Sequence, residues 1–123
     1  MKATKSNDRL LSSSQFRAVY ERGQKFSTPY FSAFVLRTDS GHQRLGLTTT
    51  RKIGGAVLRN RCRRRMREIF RLRDRSILAE VGFDVVFNLR TGVASADYKD
   101  IKAAFDQMLH RFRRSLSLAK DLE

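Results

Sequence analysis

Cysteine occurs once, at Cys62, so the chain can form no intramolecular disulfide and offers no cysteine-based zinc site. Tryptophan is missing, and no apolar stretch approaches the ~20 residues that a bilayer span needs. Met1 to Ser14 lacks the apolar run of a secretory signal. Together these absences point to a reducing cytoplasm and away from a membrane partner. Acids are also scarce, with Asp+Glu 12 against Lys+Arg 26 and a formal charge of +14. The carboxylates are scattered, with no H-E-x-x-H and no close acidic pair suited to two metals. His42 and His110 have nothing in sequence to pair them as acid and base, and Gly54-Gly55 lacks the spacing of a Walker loop. No catalytic residue and no metal ligand is therefore assigned to the protein itself. The sequence fits one domain, residues 1–123, with a modest core and a polyanion for a partner.

What the chain has instead is arginine, concentrated from Arg51 to Arg75. Apolar spacing predicts a helix from about Leu58 to Leu72, with Leu58, Cys62, Met66 and Ile69 on its inner stripe. Cys62 on that stripe reads as a small core residue. Arg59, Arg63, Arg67 and Arg71 form an i, i+4 ladder beside it, Asn60 and Arg64 widen the polar face, and Arg61 and Arg65 fall on the far shoulder. Like charges at that spacing destabilise a helix, and two guanidinium groups about 6 Å apart repel by roughly 0.7 kcal/mol even in water. Arginine rather than lysine supplies a rigid fork for phosphate and a plane that stacks on bases. A nucleic acid is the partner that relieves such a ladder. Gly54-Gly55 ahead of it can expose backbone N–H groups to a phosphate or serve as a plain flexible turn.

Around this helix the sequence reads as α-β-β-β-α-β-α, an α+β sandwich built on a four-stranded sheet. Met1 to Asn7 is a polar, flexible arm. Asp8 to Gly23 holds a short helix, with Ser12, Ser13 or Ser14 as N-cap and Gly23 as its stop. Phe16, Val19 and Tyr20 share one of its faces, as core residues or as surfaces for stacking bases. Gln24 to Leu36 is extended and broken at Pro29, with Ser32 and Phe34 alternating against Phe31, Ala33 and Val35. Asp39-Ser40-Gly41 signals a hairpin-type turn before a strand over Arg44–Thr50. Phe83 to Leu89 is a strand, and the strand–arginine helix–strand segment can join parallel neighbours. A helix from about Asp97 to Leu118 closes the chain, with residues 119–123 expected to fray.

The string from Lys52 to Glu68, K-I-G-G-A-V-L-R-N-R-C-R-R-R-M-R-E, resembles the signature of the bacterial ribonuclease P protein subunit, close to K-x-G-x-A-V-x-R-N-R-x-K/R-R-x-x-R-E. The likeness extends to the F-x-x-V-F/Y-x-x-G helix at Phe16–Gly23 and the R-x-G-L strand at Arg44–Leu47. In all it covers about Leu10 to Leu116. Gly55 stands where that family often has Asn, and Arg90 lacks the usual nearby proline.

The resemblance implies a fold like domain 2 of ribosomal protein S5, a two-layer sandwich with a left-handed βαβ crossover. It also implies a protein bound to a large catalytic RNA that removes the 5′ leader of precursor tRNA, with Mg²⁺ on the RNA and no cofactor on the protein. By that likeness Lys52, Arg59, Asn60, Arg61, Arg63, Arg64 and Arg67 meet the catalytic RNA. Phe16, Tyr20, Ser32, Phe34 and Thr48, with Arg51 and Arg59 at the rim, would line a cleft for the leader. Aromatic groups on a sheet face with basic rims suit an extended single strand. The rival readings are a structural RNA-binding protein or RNA chaperone, a stand-alone nuclease, and a helix-turn-helix DNA binder.

Overall fold

A computed structural model of the chain describes residues 9–10 and 12–122; the arm expected over Met1–Asn7 lies outside them. The elements are α1 (Ser13–Arg22), β1 (Gln24–Ser27), β2 (Phe31–Thr38), β3 (Gln43–Thr48), α2 (Ala56–Arg71), β4 (Gly82–Leu89) and α3 (Tyr98–Leu122). Short 3-10 turns, Arg51–Ile53 and Thr91–Ala94, lead into α2 and away from β4. The first helix starts where the serine run places it, with Ser12 as its cap in a box with Gln15. Upstream, Arg9 instead forms a bridge alongside Leu45, and the Leu10 N–H donates to the Leu45 carbonyl at 3.0 Å.

The sheet order is β1-β2-β4-β3, with β2 antiparallel and β3 parallel to β4. The arginine helix thus joins parallel neighbours. The turn at Asp39–Gly41 does not close a hairpin, because β4 is inserted between β2 and β3. The reason lies in β4 itself: Phe83, Val85, Phe87 and Leu89 face one side, Val86 faces the other, and all five are buried. A strand apolar on both faces belongs in the middle of a sheet.

On one face Phe31, Ala33, Val35, Leu45, Phe83, Val85 and Phe87 meet the inner stripes of α2 and α3, which makes the sandwich. Cys62, Met66 and Ile69 come from α2, and Ile101, Phe105, Met108, Leu109 and Phe112 from α3. Edge-on ring pairs, Phe26–Phe112 and Phe31–Phe87 among them, fix the depth of that layer. Helix α3 continues through residues 119–122, where fraying was expected, since no Gly or Pro interrupts it. Across part of the other face lies α1, over a small cluster of Leu10, Val19 and Val86.

Two glycines are dictated by geometry. Gly54 has φ 143°, a conformation reserved for glycine, and sets the break between the 3-10 turn and α2. Gly55 is the N-cap of α2 and carries no side-chain cap; relative to Asn that omission costs only a few tenths of a kcal/mol. The stretch after Arg90 closes without proline through the 3-10 turn, which buries Val93 and is anchored by the Arg90 N–H on the Tyr30 carbonyl at 2.9 Å.

Candidate nucleic-acid interface

The open sheet face is built in three cross-strand rows. Register places Ser32, Asn88 and Thr48 side by side, then Phe34, Val86 and Gly46, then Leu36, Asp84 and Arg44. The middle row lies under α1. The Phe16 ring rests on Gly46, where an added Cβ would come within 2.6 Å of it. Val19 is fully buried against the same row. We expect Gly46→Ala to lower stability by about 1–3 kcal/mol in a urea melt, by forcing Phe16 off the sheet. An unchanged midpoint would show the ring to be free to move.

The polar row is tied to α1 from above. The Tyr20 hydroxyl donates to Asn88 Oδ1 at 2.7 Å, and the Thr48 hydroxyl donates to the same oxygen at 2.6 Å. Tyr20 meets Phe34 edge-on at 5.0 Å, and Lys25 Nζ lies 5.7 Å from the centre of the Phe34 ring. Tyr20 is 37% exposed, and it shares with Phe16, Arg17, Ser12 and Ser13 an open depression of about 440 Å³. Tyr20 and Thr48 therefore meet at one amide, with Phe34 against Tyr20 and Phe16 on the neighbouring row. Ser32 is only 7% exposed and lies beneath the cleft rather than in its wall.

The arginines of α2 separate into two flanks, as a pitch of about 100° per residue requires. On the β3 flank, Arg59 donates to the Gly54 carbonyl at 2.6 Å, and Arg63 donates to Thr49 at 2.6 Å and to Asn60. Burial, and then the charges of Arg9 and Arg63, hold the Arg67 guanidinium below its ordinary value. Arg9, Arg63 and Arg67 thus crowd one another along the outer edge of β3. Arg51 and Lys52 are exposed on the 3-10 turn beyond Thr48. On the outward side Arg61 and Arg64 are exposed, with Val57 between them in angle and 84% exposed. Arg65 is drawn back to the Ala96 carbonyl at 3.1 Å.

Among the described residues, the only α2 arginine paired with an acid is Arg71, with Glu68 at 2.8 Å. Two further ion pairs among the described residues, Arg44–Asp84 and Lys102–Asp106, lie off the helix. A guanidinium array kept exposed without counter-charges is a surface for phosphate.

The sequence reading missed Asn88, Arg9, Lys25 and Tyr98. For Asn88 a signal existed: Asp84 and Asn88 are four apart in an otherwise apolar strand and so share a face. Arg9 carried none, because a single charged residue ahead of the helix cap shows no period.

The family model for Ribonuclease P matches residues 4–113. The chain is 35% identical over 99 residues to the ribonuclease P protein component of Clostridioides difficile, covering 80% of this chain and 85% of that one. It is 38% identical over 104 residues to that of Desulfovibrio desulfuricans, covering 83% and 80%. Among solved structures, the RNase P protein from Thermotoga maritima superimposes with a TM-score of 0.73 at 28% identity, covering 85% of this chain and 96% of that one.

Proposed function

The chain belongs to the ribonuclease P protein family, and from that premise we propose how its two basic surfaces divide the work. It is a subunit of ribonuclease P, the endoribonuclease that processes tRNA 5′ ends, and its partner is the ribonuclease P RNA. In this reading the outward side of α2, with Asn60, Arg61 and Arg64, seats the protein on the catalytic RNA. The sheet cleft takes the 5′ leader of precursor tRNA, bases against Phe16, Tyr20 and Phe34 and phosphates along Arg59, Arg63, Arg67, Arg51 and Lys52. Lys52, Arg63 and Arg67, which the family likeness gives to the catalytic RNA, are moved to the leader because they border β3 and its exit turn. Stacking on aromatic rings contributes roughly 1–3 kcal/mol per base and tolerates sequence variation, as a reader of many leaders needs. A cytoplasmic setting belongs to the same proposal.

Hydrolysis is assigned to the RNA. Helix α2 offers guanidinium groups and one carboxylate already held by Arg71, a donor set that repels a divalent cation. In this reading the Mg²⁺ ions that the reaction uses sit on the RNA. The protein neutralises phosphate repulsion between two RNAs, which raises substrate affinity and lowers the Mg²⁺ required.

The observation that supports this most is the open depression at Phe16 and Tyr20, on the sheet face next to α2 arginines that have no acidic partner among the described residues. Single-turnover cleavage of a precursor tRNA by the catalytic RNA at low Mg²⁺, with and without the protein, tests it. The protein should accelerate cleavage, and substrates with a leader long enough to reach the cleft should gain most. No acceleration would overturn the assignment, and a gain indifferent to leader length would remove the cleft from it.

A further inference from the structure

Where the outward side of α2 meets the start of α3 lies a feature that the cleft does not use and that charge alone does not explain. Arg61, Arg64, Arg65 and Glu68 form, with Tyr98, an open cup of about 270 Å³. Tyr98 is the first residue of α3, precedes the core stripe that starts at Ile101, and is left 38% exposed. The walls are held in place. Arg65 is fixed by the Ala96 carbonyl, two residues before the tyrosine. Glu68 is fixed by two N–H groups of Arg71, at 2.8 and 3.2 Å. Arg61 and Arg64 are exposed and have no acidic partner among the described residues.

A standing aromatic ring ringed by guanidinium groups has the chemistry of a seat for a nucleotide whose base is free to stack. A base offers a π-face to the ring, and its flanking phosphates pair with the arginine forks. Duplex RNA cannot occupy such a cup, because its bases are stacked on one another and show only their edges. A folded protein is a poorer fit, since binding would need several acidic side chains opposed to Arg61 and Arg64. We propose that this cup receives one unpaired nucleotide of the ribonuclease P RNA, with the base on Tyr98 and its phosphates on Arg61 and Arg64. The inference rests on the assignment of the outward side of α2 to the catalytic RNA, and it adds a point of shape recognition to an interface otherwise made of charge.

The test compares Tyr98→Ala and Tyr98→Phe with Arg61→Ala in the full-length protein bound to full-length catalytic RNA. Tyr98→Ala should weaken binding roughly tenfold, while the slope of log affinity against log salt stays that of wild type, because stacking releases no counterions. Tyr98→Phe should bind as wild type. Base-specific chemical probing of the RNA should show one unpaired nucleotide protected by wild type and by Tyr98→Phe and exposed with Tyr98→Ala, within an otherwise unchanged footprint. A thermal melt separates a folding defect from this effect, since the footprint of a folded variant reports the seat directly. Wild-type affinity and footprint for Tyr98→Ala, with Arg61→Ala weakened, would overturn the seat and leave the RNA-binding side intact. Wild-type binding by both variants would overturn the assignment of that side as well.

Discussion

Replacing Arg61 and Arg64 together by alanine is expected to weaken binding of the catalytic RNA by about a hundredfold, roughly tenfold for each charge-assisted phosphate pairing removed. The slope of log affinity against log salt should fall by between about one and two units, one phosphate for each arginine. The contrast with Arg63→Ala is decisive. Arg63 donates to Thr49 at the β3 edge, so its removal should act on leader-bearing substrate and spare the affinity for catalytic RNA. Titrating each variant against each RNA at several salt concentrations reads both effects. Equal losses on both RNAs for both variants would mean that α2 is one undivided basic surface, and the two-flank division would be wrong.

The second large effect concerns folding. Arg44→Ala is expected to destabilise the protein by about 3 kcal/mol, and Asp84→Ala by distinctly less. Arg44 donates two parallel hydrogen bonds to Asp84, both 2.8 Å. The carboxylate side chain is 7% exposed and the guanidinium 25%. Removing the arginine strands a buried anion, whereas removing the acid leaves a cation that can turn to water. The Arg44 charge is held above its ordinary value, first by the hydrogen bond to Asp84. On the alkaline side its contribution is therefore complete at neutral pH and fades only in strong alkali. Urea melts at neutral pH measure the difference, and equal losses would show that Asp84 reaches solvent once its partner is gone.

Local pattern carried much of this fold. The stripe Leu58, Cys62, Met66, Ile69 placed α2 within two residues of its observed start, and alternation in β2 put Ser32 and Phe34 on the side where Phe16 and Tyr20 are found. Pairing was less legible. The turn chemistry of Asp39–Gly41 reports a bend but not what passes between its arms, and only the two-sided burial of β4 determines that. The segment between α2 and β4 also escaped notice. Ile77 and Leu78 are buried there, yet two apolar residues among charged neighbours make no period. Arg73 belongs to the same arginine-rich stretch as the helix. It is buried, with its guanidinium 4.0 Å from the centre of the Phe70 ring and bonded to Gln43 at 2.8 Å. Sequence shows a charge, whereas its use depends on which ring and which amide the fold places beside it.

The rims of the sheet also bear on how copies of this chain treat one another before RNA is present. A bare strand edge is a template on which a second copy can continue the hydrogen-bond ladder. Here one rim is occupied at Leu45 by the residue 9–10 segment, and the other is the four-residue β1, which carries Lys25. With a formal charge of +14, two molecules approaching rim to rim also repel. Newly made protein is thereby guarded against fibre-like self-addition while it waits for its RNA.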